Sequence, residues 1–348
     1  MSTGGDGTID PGTGGSPGSG GSGPVLPSGP LSFGYIYNLQ ELGGTSVFST
    51  MPYANVDVVV HAFVTADSAG NVVGVDHFDS YRAAGLVDAV HAAGKKIVLS
   101  LGGAGSTWQM AELIGTPAQA TFVTNVANKI EEWGYDGVDF DFEFPGNNCT
   151  PAEFTDFLQK LKDAVKAKNP NHLVMFGISP GWWLQSYEWA ALGSIADYGF
   201  YFCYDWKNPE RGPMTKPGTS FNMQGGQAIE GSCRGALDYV LGAGFPANRM
   251  IVGLPFAANG GAPYRNASAA VKSGTPDPNS MEVSDGAGGW WPNVAGTTMK
   301  VNAVLDPAQS VLANGATVAG VGFWEWGEEN ATSGADLSTA IRTRLDQL

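Results

Sequence analysis

Eight short runs rich in apolar and β-branched residues recur along this chain, spaced by stretches of helical character, and that alternation constrains the fold more than any single motif. The runs cover residues 33–38, 56–65, 96–103, 136–143, 173–180, 199–205, 250–256 and 318–326. Helices are predicted over 80–93, from Thr116 to Gly134, from Thr150 to about Lys168, around 235–243, over 306–314 and over 336–348. Two of them open on one device: Thr116-Pro-Ala-Gln119 and Thr150-Pro-Ala-Glu153 each offer an N-cap, a proline at the first helical position and a capping-box side chain. Strands that alternate with helices build parallel βαβ units, and eight is the number at which such a sheet closes. A doubly wound open sheet is the competing fold, but its glycine-rich phosphate turn is missing after the first strand. The expected class is α/β, a (β/α)8 TIM barrel filling residues 30–348.

Residues 1–29 are mostly Gly, Ser, Pro and Thr, with almost nothing to bury, and read as a disordered linker or leader. This stretch lacks a basic n-region and an apolar h-region, so no signal peptide is read in it. No run of about 18 apolar residues exists to span a membrane. The formal net charge of −15 removes any electrostatic case for nucleic acid or an anionic membrane. Three cysteines, Cys149, Cys203 and Cys233, have no metal-type spacing, and no bridge is the expectation.

The fourth run, Asp136-Gly-Val-Asp139-Phe-Asp141-Phe-Glu143, is too acidic for an ordinary core strand. With a period of two, Val138, Phe140 and Phe142 share one face and Asp139, Asp141 and Glu143 share the other. A triply acidic inward face is costly unless the acids perform chemistry. Acids two apart on one strand are separated by about 6.5–7 Å of backbone rise. Both then approach a substrate from the same side, whereas a conventional retaining glycosidase flanks the bond with two acids about 5–5.5 Å apart. One strand fits a single proton donor, Glu143, with Asp141 as helper and the nucleophile drawn from a sugar substrate. Crowded like charges raise at least one pKa, which keeps Glu143 able to donate near neutral pH.

In a closed barrel, function gathers at the C-terminal ends of the strands. Here Ser100-Leu-Gly102-Gly103, the three acids, Tyr204-Asp205 and Trp324-Glu-Trp326 all fall at such ends. Each has a plainer reading. Asp136 is a turn residue at the strand entrance, Asp139 a buried acid held by hydrogen bonds, Ser100 and its glycines a tight turn. Trp290 and Trp291 are either a sugar platform or a loop anchor. A carboxylate metal site is disfavoured, because one strand face does not wrap a six-oxygen shell.

Together these motifs resemble glycoside hydrolase family 18, the chitinases and endo-β-N-acetylglucosaminidases. The D-x-x-D-x-D-x-E pattern of Asp136 to Glu143 carries the likeness, with the S-x-G-G of Ser100 to Gly103, Tyr204-Asp205 and Trp324 in matching order. The resemblance implies that Glu143 is the general acid and then the base for water. It makes Asp141 the group that orients the N-acetyl and stabilises an oxazolinium, Asp139 the group that holds Asp141, and Tyr204 the donor to the acetamido carbonyl. Asp205 would fix the sugar at the cleaved subsite and Trp324 stack beneath it, with Ser100, Gly102, Gly103 and Phe202 in the substrate-binding set. Phe202 stands where the family has methionine.

The implied function is endo-acting hydrolysis of chitin or chito-oligosaccharides with retention, without cofactor or metal, by an extracellular monomer. A carbohydrate-binding module could be joined through the linker. About 40 residues of loop between the seventh and eighth strands are too few for the full α+β insertion of some processive chitinases. Two alternatives stay open: an endo-β-N-acetylglucosaminidase acting on N-glycan cores, and a non-catalytic chitin-binding lectin. The triplets at Asn148, Asn266 and Asn330 match the glycosylation acceptor pattern.

Overall fold

The structure, a computed structural model, describes residues 24–75, 77–147, 149–204, 221–222, 228–229, 232–329 and 336–348. Asp205, Asn148, Asn330 and nearly all of the expected linker lie outside the described residues. Eight parallel strands form the barrel: β1 (Leu31–Ile36), β2 (Val58–Ala66), β3 (Lys96–Gly102), β4 (Gly137–Asp141), β5 (Leu173–Ile178), β6 (Tyr198–Phe202), β7 (Met250–Pro255) and β8 (Gly320–Trp324). Each pairs with its neighbour in sequence, β8 pairs with β1, and the sheet closes. The helices are α1 (Phe78–Ala83), α2 (Leu86–Ala92), α3 (Thr107–Ala111), α4 (Ala118–Trp133), α5 (Pro151–Lys168), α6 (Trp189–Ile195), α7 (Cys233–Gly242), α8 (Ala269–Lys272), α9 (Val294–Leu305) and α10 (Asp336–Leu345).

Two apolar clusters follow from strand alternation. One fills the lumen with Phe33, Tyr35, Val58, Val60, Val98, Met175, Phe200 and Ile251 among others. The other lies between sheet and helices. β4 divides as its period requires: Val138 and Phe140 belong to the outer cluster, where Phe140 stacks on Phe154 and Phe157 of α5 at 5.4 and 4.6 Å. Asp139 and Asp141 are left to face inward.

The caps differ from one another. At α5 the box forms in full: Glu153 N–H donates to Thr150 Oγ1 and Thr150 N–H to the Glu153 carboxylate, at 3.2 and 2.9 Å. At α4 it does not, since Gln119 reaches past Thr116 and takes the Gly115 N–H at 2.7 Å. The helix expected over 80–93 is two, because Gly85 sits at φ 87° and breaks it. The helix expected over 306–314 lies earlier. Asn293 caps α9 by accepting from Gly296 N–H, and Asp306 ends it, followed by Pro307 and a turn in which Asp306 accepts from Ala308 N–H. A disulfide links Cys203, one residue past β6, to Cys233, the first residue of α7, with Cα atoms 5.6 Å apart. The expectation of no bridge is thus corrected: thirty residues apart in sequence, the two meet because β6 and α7 are neighbours in the closed fold. Between β7 and β8 the described chain supplies a single turn of α8, α9 and a two-stranded hairpin, Val283–Ser284 with Trp290–Trp291. That is short of an α+β wall.

Candidate active site

The acids of β4 reach the lumen in an order set by register. Ser100 of β3 is the partner of Asp139, and Gly102 the partner of Asp141. Ser100 Oγ therefore donates to Asp139 Oδ2 at 2.7 Å. From across the barrel, Tyr35 of β1 donates its hydroxyl to the same oxygen at 2.8 Å. Asp139 is fully buried, and burial pushes its pKa up to about 6 against the pull of these two hydrogen bonds. Asp141, also buried, is raised well above the usual carboxylate range by burial, then by the charges of Glu143 and Asp139. It shares a hydrogen bond with Glu143. Two carboxyls that hydrogen-bond do so through a shared proton, and crowding of like charges favours the protonated form of such a pair.

The glycines after Ser100 permit a close approach to the acid strand. Gly102 and Gly103 have φ of 100° and 83°, and a Cβ on Gly102 would run into the Asp141 carbonyl oxygen. Gly103 N–H donates to that carbonyl at 2.9 Å. Gly102 thus supplies close packing against β4, and Gly103 leaves room for the Phe63 ring of β2.

Asp141 and Glu143 open into a cavity of about 540 Å³ that is also lined by Gly102, Gly103, Gln109, Phe202, Tyr204 and Trp324. Trp324 lies against Phe63 at 5.6 Å, near-parallel, and against Tyr37 at 5.8 Å. Phe202 packs on the Tyr204 ring at 5.5 Å. The disulfide at Cys203 ties down the chain on which Tyr204 stands. Glu325, next to Trp324, accepts the backbone N–H groups of Tyr37 and Asn38 at 3.0 and 3.3 Å, which fastens the end of β8 to the end of β1. Its pKa is raised to about 8 by burial.

Of the residues singled out in the sequence, the structure gathers Ser100, Gly102, Gly103, Asp139, Asp141, Glu143, Phe202, Tyr204 and Trp324 at one end of the barrel. Asp136 is at the other end, accepting from Ile97 N–H and bonded to His91 Nε2, both at 2.9 Å. Trp291 is a loop anchor: its Nε1–H donates to Asp285 at 3.1 Å and its ring packs on the outer core. Trp290 is half-buried, its main chain bonded to Asn259. Sequence reasoning missed Tyr35, Tyr37, Phe63 and Gln109. Tyr35 and Tyr37 carried a signal, because they alternate with Phe33 on the inward face of the first strand. Phe63 and Gln109 had none.

An inward row of carboxyls over an aromatic floor, at the C-terminal mouth of a closed (β/α)8 barrel, defines a glycoside hydrolase class of site. The sequence matches the profile of glycosyl hydrolases family 18 over residues 32–329, and the chain belongs to that family. Among its relatives is Chitinase 1 of Aphanocladium album, 22% identical over 237 residues, which are 59% of this chain and 55% of that protein. Another is Chitotriosidase-1 of Mus musculus, 26% identical over 175 residues, 46% of this chain and 38% of that protein. The matches thus span about half or less of these relatives' length. In fold, the chain is similar to the Group IV chitinase of Ostrinia furnacalis, with a TM-score of 0.70 at 16% identity, over 91% of this chain and 99% of that one.

Proposed function

We propose that this chain is an endo-acting chitinase that cleaves β-1,4 bonds between N-acetylglucosamine units with retention at the anomeric carbon. Glu143 gives its proton to the glycosidic oxygen as the C1–O bond breaks. The acetamido oxygen of the same sugar bonds to C1, forming an oxazolinium whose positive charge Asp141 balances. Asp139, fixed by Tyr35 and Ser100, holds Asp141 in place. Tyr204 donates to the acetamido carbonyl, Trp324 carries the sugar ring and Asp205 fixes its position. Glu143, now a base, takes a proton from water, which attacks C1 and reopens the ring.

The observation that carries this reading is the hydrogen-bonded row from Tyr35 and Ser100 through Asp139, and from Asp141 to Glu143, opening on a cavity floored by Trp324. Endo action is favoured by the short pieces between β7 and β8, which build no wall to close the cleft. The Cys203–Cys233 bridge fits export to an oxidising compartment, and residues 1–29 fit a tether to a carbohydrate-binding module. Incubating a chitin hexasaccharide with wild type and with Glu143→Gln, and weighing the products, tests the reading. Wild type should yield internal cleavage products, with the β-anomer first by NMR. The variant should lose about three orders of magnitude or more in kcat. A fully active variant, or disaccharide alone from the earliest times, would overturn the donor or the endo mode respectively.

A further inference from the structure

We infer that Thr107 is a positioning residue for the proton donor, an inference that rests on Glu143 being that donor. β4 ends at Asp141, and beyond it the chain leaves the ladder. The backbone N–H of Glu143 finds its acceptor outside the sheet, donating to Thr107 Oγ1 at 3.2 Å. That hydroxyl in turn donates to the Gly103 carbonyl at 3.2 Å. Gly103 N–H donates to the Asp141 carbonyl at 2.9 Å, which closes a ring through Asp141, Gly103, Thr107 and Glu143. The ring couples the glycine turn after β3 to the acid pair on β4 at the point where sheet pairing stops.

Thr107 is suited to this by burial and by shape. It is 4% exposed, so bulk water cannot take over as acceptor for the Glu143 N–H. Threonine is stiff at χ1, so its hydroxyl is placed by the backbone of α3 rather than by a mobile side chain. A general acid must meet the leaving oxygen at hydrogen-bond distance, and a displacement of about 1 Å costs roughly 100-fold. A polar tie on the donor's own main chain is therefore a direct lever on rate.

Thr107→Val keeps the shape and removes the acceptor; Thr107→Ser keeps the hydroxyl and removes the methyl. On a chito-oligosaccharide, Thr107→Val should lower kcat by about 10- to 100-fold and leave KM within about twofold. Thr107→Ser should stay within about threefold of wild type in both, the difference of one packed methyl. If Thr107→Val does not fold, Thr107→Ala removes the hydroxyl without bulk and is read against the same Ser standard. A hydroxyl-less variant with normal kcat, or a Ser variant as slow as Val, would overturn the inference, since the residue would then serve packing alone. Wild-type inactivity, or activity surviving in Glu143→Gln, would instead sink the proposed function, so the two failures are told apart.

Discussion

The two ends of the barrel use aspartate in opposite ways. At the N-terminal end, Asp57, Asp136 and Asp197 each stand immediately before an even-numbered strand. Each accepts a backbone N–H from the strand before it: Ser32, Ile97 and Val174 respectively, at 2.9, 2.9 and 2.8 Å. Each also has cations close by: Lys95 and Arg342 for Asp57, Lys96 and His91 for Asp136, Lys166 for Asp197. At the C-terminal end, Asp139 and Asp141 are buried, and among the described residues the groups that act on them are hydroxyls, an amide, Glu143 and one another, with no cation. Acids beside cations stitch strands together, and acids buried without one have their pKa raised. Residue type is the same at both ends; the partner decides the role.

The sharpest way to break that comparison is to remove charge at the mouth. Asp141→Asn keeps the shape but cannot balance an oxazolinium, and kcat should fall by about 100- to 1000-fold with little change in melting temperature. A steady-state assay on a chito-oligosaccharide, paired with a thermal melt, checks both halves. Unchanged kcat would place Asp141 with the structural acids.

The reverse substitution belongs at the base. Asp136→Ala leaves the Ile97 N–H and Lys96 without their acceptor, and breaking a buried pair costs about 3–4 kcal/mol. Urea unfolding should read that loss, while kcat measured below the transition stays within about twofold, because Asp136 is at the end of β4 remote from the cavity. A large fall in kcat with stability intact would mean that the ends are not separable.

Much of this division was legible in the sequence. Alternation alone sent Val138 and Phe140 outward onto α5 and left Asp139 and Asp141 inside, and the barrel rule assigned Asp136 and Glu143 to opposite ends. What could not be read were contacts made by closure. Tyr35 meets Asp139 across the lumen, 104 residues away in sequence, and no local period encodes that meeting. Cys203 and Cys233 pair for the same reason. Thr107 was not singled out, because its partner is a backbone N–H, which carries no sequence signature. The local errors have local causes: Gly85 adopts a left-handed conformation that ends α1, and Asn293, not Asp306, supplies the cap for the helix before β8.

The smallest effect sharpens the comparison through pH. Asp136 is held below the ordinary carboxylate range by its partners, His91 foremost, against burial. Its contribution is present above the unfolded pKa and is lost as pH falls through the lower folded value, on the acid side of about 4. At the other end Glu329 is buried, accepts the N–H groups of Leu337 and Ser338 at the start of α10, and has its pKa raised by burial from 4.5 to about 7. For a raised acid the sign is opposite. Stability is fully present below the unfolded pKa and is lost as pH rises from about 4.5 through about 7. A shift of that size corresponds to roughly 3 kcal/mol between the two plateaus. Glu329→Gln retains an acceptor for both N–H groups and cannot ionise. Its melting temperature should therefore fall less than that of wild type between pH 5 and pH 8, with the two proteins closest at pH 5. Asp136→Asn should leave this slope unchanged and flatten the acid side instead. If Glu329→Gln follows wild type across the whole range, then a cation outside the groups named here compensates the mouth, and the contrast between the two ends rests on Asp139 and Asp141 alone.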